Sequence, residues 1–76
     1  MYYVYLLKRL DIDETYIGYT NDLKRRLNEH RDKKPELVYY EAYKSEKDAR
    51  EREIKLKQRG QTVRRLKERL EYSLNK

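Results

Sequence analysis

Two short runs of strand-forming residues, Tyr2-Tyr3-Val4-Tyr5-Leu6-Leu7 and Thr15-Tyr16-Ile17-Gly18-Tyr19, flank a polar stretch, and the second leads at once into a helix-start signal. Aromatic and β-branched residues in runs of this length favour extended backbone. The segment from Lys8 to Glu14, which contains Asp11 and Asp13, reads as the loop of a hairpin. Side chains alternate along a strand, so Tyr3, Tyr5 and Leu7 share one face of the first arm, and Tyr2, Val4 and Leu6 share the other. In the second arm Tyr16 and Gly18 oppose Ile17 and Tyr19. A glycine within a strand usually marks the close approach of another backbone or a ligand, so Gly18 is expected to leave room beside Tyr16. The chain holds nine tyrosines and neither phenylalanine nor tryptophan, a choice that core packing alone does not require.

Downstream the pattern turns helical. Thr20 or Asn21 can cap a helix with Asp22 in its first turn, running to about Asp32. At roughly 100° per residue, Leu23, Leu27 and His30 form a stripe with Arg26 beside it, while Arg25 points to solvent. Leu37 to Tyr43 reads as a third strand, and Ser45-Glu46-Lys47-Asp48 as a capping box that opens a second helix. On that helix Ala49, Glu53 and Leu56 share one arc, which puts a carboxylate near the centre of the apolar side. A buried, unpartnered carboxylate costs several kcal/mol, so Glu53 is expected to meet a cation or to line a cleft. Gly60 is expected to end this helix and Thr62 to cap a third. Val63, Leu66, Leu70 and Leu74 form the third helix's buried stripe, with Arg64 on its solvated side. The order of elements is thus ββαβαα in a single domain over residues 1–76.

Charge narrows the class of partner. The chain carries 20 basic and 14 acidic residues, a net charge of +6, with the excess concentrated between Arg50 and Arg69. A polyanion is the expected partner, chiefly nucleic acid, with an anionic membrane second. At 76 residues and 45% charged the core must be small, since a chain of this size buries only roughly 60–65% of its unfolded surface. The absence of cysteine excludes a disulfide framework and a cysteine zinc site. Met1 leads straight into a strand, and no apolar stretch approaches the roughly 20 residues of a bilayer span. The expectation is a cytoplasmic protein without a membrane segment or a small-molecule cofactor.

Three inward-facing polar side chains, Tyr16, Arg26 and Glu53, occur in an order that carries a resemblance. Tyr3-Val4-Tyr5, a gap of ten residues, and then Tyr16-Ile17-Gly18 resembles the paired motif of the GIY-YIG nuclease superfamily. Arg26 follows Tyr16 by ten residues, as that family's arginine does, and His30 matches the histidine of many members. Ala49-Arg50-Glu51-Arg52-Glu53 with Lys55 and Lys57 is similar to its second-helix segment. The resemblance spans nearly the whole chain and is nearest to the small single-domain bacterial members. Three features depart from the pattern. Tyr3 stands in place of the first motif's glycine, the Arg31–Glu36 segment is shorter than the usual glycine-rich basic linker, and the last helix lacks an asparagine that some members carry.

The resemblance implies an α/β (α+β) domain, with a three-stranded antiparallel or mixed sheet flanked by three helices. It also implies an endonuclease dependent on Mg2+ or Mn2+ and acting on DNA in preference to RNA. In that reading Glu53 is the metal ligand, Arg26 neutralises charge on the phosphoryl group, Tyr16 is the general base, and Gly18 leaves the gap through which a substrate phosphate approaches Tyr16. A free phenol is only about one part in a thousand ionised at neutral pH, so Tyr16 needs a nearby cation or a proton path through His30 or Tyr5. Arg25, Lys57 and Arg64 are the expected contacts to the nucleic-acid backbone. Two alternatives stand beside this reading: a weakly catalytic nucleic-acid-binding module of the same fold, and a protein-interaction module that docks through its last helix.

Overall fold

The structure, a computed structural model, describes residues 1–12, 14–58 and 60–74. Strands β1 (Tyr2–Arg9), β2 (Glu14–Thr20) and β3 (Pro35–Tyr43) form one sheet in the order β2-β1-β3, with both pairings antiparallel. The antiparallel form of the expected sheet is therefore the one adopted. Both arms of the hairpin extend beyond the apolar runs, because Lys8 and Arg9 keep pairing with Thr15 and Glu14. The register sets Tyr5 directly opposite Gly18 and Leu7 opposite Tyr16. Between β1 and β3 the register shifts at Leu6/Leu7, where Val38 is the extra residue on β3; an extra residue of this kind bends and twists a strand.

Helix α1 (Leu23–Glu29) is shorter than its periodicity implies and gives way to a 3-10 turn over Arg31–Lys33. Its cap is Asp22, whose carboxylate accepts from the Arg25 backbone N–H at 3.1 Å, rather than Thr20 or Asn21. Thr20 contributes one step earlier, its Oγ1 accepting from the Asp22 N–H at 3.1 Å. Lys34 then takes a left-handed conformation, φ 51°, and its carbonyl accepts from Leu10 N–H, which ties this short connection to the hairpin turn.

Helix α2 (Glu46–Gln58) starts where the capping box placed it, with the Asp48 N–H donating to Ser45 Oγ at 3.3 Å. Gly60 does not act as a left-handed stop. It lies in the first turn of α3 (Gly60–Arg69) and has no positive φ. The proposed Thr62 cap is overtaken because the backbone is already helical there, and the side chains of Thr62 and Val63 lie outside the described residues. The expected third helix divides into α3 and a short α4 (Glu71–Leu74), so that four α-helices stand among the described residues where three were expected.

The core forms on one face of the sheet, where Val4, Ala49, Leu56 and Leu66 are buried together and Tyr2, Ile17, Tyr19, Tyr39, Tyr43 and Leu70 close around them. Helix α2 packs on β1 and β2, and α3 packs on α2. Tyr5 and Leu7, also buried, belong to the opposite face, the side on which α1 lies. Among the described residues no helix is long and apolar enough to cross a membrane.

Candidate active site

Gly18 and Tyr5 set the geometry. A Cβ at Gly18 would collide with the Tyr5 hydroxyl and ring and stand 2.9 Å from Tyr16 Cε1. The space left by the missing side chain is therefore taken up by two phenols, not left as an opening for substrate as the sequence led one to expect. The Tyr5 and Tyr16 rings lie 6.3 Å apart at 43°. Tyr5 is 1% exposed and Tyr16 41%, so one phenol is a fixed inner group and the other faces the surface.

Helix α1 brings Arg26 onto this pair. Its Nε donates to the Tyr5 hydroxyl oxygen at 3.1 Å, as the position beside the Leu23–Leu27 stripe implied. The cationic form of Arg26 is favoured first by that bond and then by the Tyr16 oxygen among others. Burial pushes the Tyr5 phenol above its ordinary pKa, and the hydrogen bond and charge of Arg26 oppose the rise only in part. Tyr5 is consequently a neutral phenol at physiological pH, held as an acceptor for a guanidinium. His30, at the C-terminal end of α1, places its ring 6.0 Å from that of Tyr16.

Helix α2 supplies the carboxylate. Glu53 is mostly enclosed, its side chain 22% exposed, and Lys57 one turn on approaches it at 3.3 Å. The cation expected beside Glu53 is thus present. The same ammonium lies 5.6 Å from the centroid of the Tyr16 ring, and the Glu53 charge is felt at the Tyr5 phenol. Tyr5, Tyr16, Arg26, His30, Glu53 and Lys57 therefore gather where the two helical layers meet along the outer strand β2.

Two clefts open from this centre. One, of about 340 Å³, is lined by Leu7, Thr15, Tyr16, His30 and Pro35 among others. The second, of about 430 Å³, is lined by Arg26 together with Arg25, Arg50, Tyr19 and Asn21. Arg25 is exposed, as expected, yet shares this cleft wall with Arg26. Arg64 is exposed on α3, whose packing partner is α2, and does not join the cluster.

Among the described residues no group of three or more histidine, cysteine, aspartate or glutamate side chains could hold a metal ion. Those residues thus build no cage of their own, an arrangement that fits Mg2+, which commonly binds through one or two carboxylates, retains its waters and takes further oxygens from substrate phosphate. Glu53 alone, partly exposed, is a donor of that type.

Sequence reasoning missed two things. Lys57 was read as a backbone contact, although its position four residues after Glu53 puts both on one helix face. The contact between Tyr19 and Arg50, which no local pattern links, is the other. In the structure the Tyr19 hydroxyl donates to Glu46 at 2.7 Å, and the Arg50 guanidinium lies 4.8 Å over the Tyr19 ring. The Glu46–Arg50 spacing, again four residues, signals that pair alone.

The family model described as the GIY-YIG catalytic domain matches residues 1–68. No curated protein and no solved structure matches the chain.

Proposed function

The chain belongs to the GIY-YIG family, whose domain is of nuclease type and acts on nucleic acid, and from that premise we propose that it is a divalent-metal-dependent endonuclease, with DNA its favoured substrate and the cytoplasm its place of action. The observation that carries this reading is the convergence of a buried tyrosine, an exposed tyrosine, an arginine and a single glutamate at one surface site beside two clefts.

Arg26 is the charge-neutralising group. Tyr5 fixes its Nε, and a preorganised donor aimed at developing phosphoryl charge is typically worth a few kcal/mol. Tyr5 serves as a positioning residue: it is buried, neutral and already engaged. Tyr16, the exposed phenol, orients the attacking water and takes its proton as its own phenolic proton passes on to His30. The Lys57 ammonium near its ring is a cation of the kind that this role needs, and His30, whose ring lies 6.0 Å from that of Tyr16, can carry the proton onward. Glu53 would hold Mg2+ or Mn2+. When bound, that ion supplies Lewis-acid stabilisation of the leaving oxygen. Arg25, Lys57 and Arg64 contact the sugar-phosphate backbone, Arg64 from outside the centre.

The test is incubation with single-stranded, duplex and branched DNA, and with RNA, in the presence and absence of Mn2+. Metal-dependent cutting that disappears in Glu53→Ala is expected. Salt-dependent binding without any cutting above that control would leave the nucleic-acid-binding module as the function.

A further inference from the structure

We propose that the cleft between Arg25 and Arg50 is a second phosphate subsite, which takes the backbone phosphate next to the one held at Arg26. This rests on the nucleic-acid reading above and extends it to the path of the strand. Arg26 belongs to both places: it bonds Tyr5 at the centre and also lines the cleft. A strand whose scissile phosphate meets Arg26 therefore has its neighbouring phosphate beside the other two arginines.

Both are braced for the task. Arg50 lies over the Tyr19 ring, and Tyr19 in turn stacks on Tyr2, with centroids 6.5 Å apart and planes within 8°. Tyr2 and Tyr19 both pack against the core, so Arg50 sits at the end of an aromatic column anchored there. Arg25 Nη2 donates to Asn21 Oδ1 at 3.3 Å. The side chains of Arg25 and Arg50 stay 63% and 60% exposed.

The carboxylates present hold them loosely. Arg25 is 4.0 Å from Glu29, Arg26 3.8 Å from the same residue, and Arg50 3.6 Å from Glu46. Exposed pairs at such distances contribute little, and Glu46 is already accepting from Tyr19. Three guanidinium groups against two carboxylates leave a positive balance in the cleft, and arginine's planar fork suits a phosphate's paired oxygens. A phosphate contact of this kind positions a strand without reading its sequence.

The experiment measures binding in EDTA, so that nothing is cut. A fluorescent oligothymidylate is titrated at several salt concentrations with wild type, Arg50→Gln, Arg25→Gln and the double variant, each checked for an unchanged melting temperature; Arg50→Lys serves as a charge-keeping control. Each single Gln variant is expected to weaken binding about three- to tenfold and to flatten the slope of log affinity against log salt in part, and the double variant to flatten it by about 0.7, the share of one phosphate contact on a single strand. Thymidine trinucleotide, with two phosphates, is then compared with versions carrying a neutral methylphosphonate at one linkage. Wild type should prefer the fully charged form at least about threefold, and the double variant should lose that preference. Salt-dependent binding by wild type, with affinity and slope unchanged in the Gln variants, or with the trinucleotide preference intact in the double variant, overturns the subsite alone. Absence of salt-dependent binding by wild type overturns the subsite and the nucleic-acid reading together.

Discussion

The Tyr5 phenol occupies the space that a Cβ on Gly18 would need, and the two residues face each other across the β1–β2 ladder. Gly18→Ala therefore forces either the phenol or the strand to move. Overpacking a tight interior typically costs about 1–3 kcal/mol, which in a domain of this size lowers the melting temperature by roughly 4–8 °C per kcal/mol. A thermal melt checks the loss. Cutting should fall further than stability alone explains, since Arg26 loses its fixed partner.

Tyr5→Phe keeps the ring and removes the oxygen that accepts from Arg26 Nε. A hydrogen bond to a charged group is worth about 1.5–3 kcal/mol, so a destabilisation near the lower end is expected for an arginine whose side chain is 35% exposed. In steady-state kinetics the loss should fall on kcat with KM nearly unchanged, because the guanidinium stays present but loosely aimed. Equal losses of kcat in Tyr5→Phe and Tyr16→Phe, without any loss of stability in the former, would contradict the assignment of Tyr5 as the positioning phenol.

Lys57 sits on the carboxylate assigned to the metal. Lys57→Met should tighten Mn2+ binding about two- to fivefold, while Lys57→Arg should leave it near wild type. Isothermal titration or electron paramagnetic resonance reads the affinity directly. Weaker Mn2+ binding in Lys57→Met would show that the ammonium does not compete for Glu53.

On the core face of the sheet Glu41 accepts from Tyr39 and Tyr43 and from the Arg52 guanidinium, with Arg52 Nε at 2.9 Å and the Tyr39 hydroxyl at 2.8 Å. Burial, with the Glu41 carboxylate adding to it, pushes the Tyr43 phenol up to about 12. Between its ordinary value near 10 and that value the unfolded chain loses the proton first, so stability contributed below pH 10 declines as pH rises toward 12. Glu41 is held below its usual range: burial opposes this, but hydrogen bonds from Arg52, Tyr43 and Tyr39 outweigh it. Its contribution is present above the ordinary carboxylate pKa and is lost as pH falls through the lowered one. Denaturant unfolding across pH should show both declines, and Tyr43→Phe should remove much of the alkaline one.

Much of this was legible from residue pattern. Alternation grouped Tyr5 with Tyr3 and Leu7 in the first arm and Tyr16 with Gly18 in the second, and helical periodicity put Arg26 and Glu53 on inward arcs. Other features depend on distances that periodicity does not carry. That Gly18 accommodates a neighbouring phenol follows from the β1–β2 register, in which Tyr5 lands opposite it. Glycine favours a helix stop through its left-handed freedom, but Gly60 takes up an ordinary helical place, so propensity misled there. The three-arginine cleft joins residues from α1 and α2, and no local pattern links Arg25 to Arg50.

Whether the domain is a metal-dependent nuclease is decided by Mn2+-dependent cutting of an oligonucleotide by wild type, Glu53→Ala and Tyr16→Phe at equal folded concentration, with binding measured in parallel. The prediction is that wild type cuts, that both variants lose at least about 100-fold in rate, in keeping with the loss of a metal site or a general base, and that all three bind within about threefold of one another. Wild-type rates retained by Glu53→Ala, or no metal-dependent cutting by wild type, would contradict it.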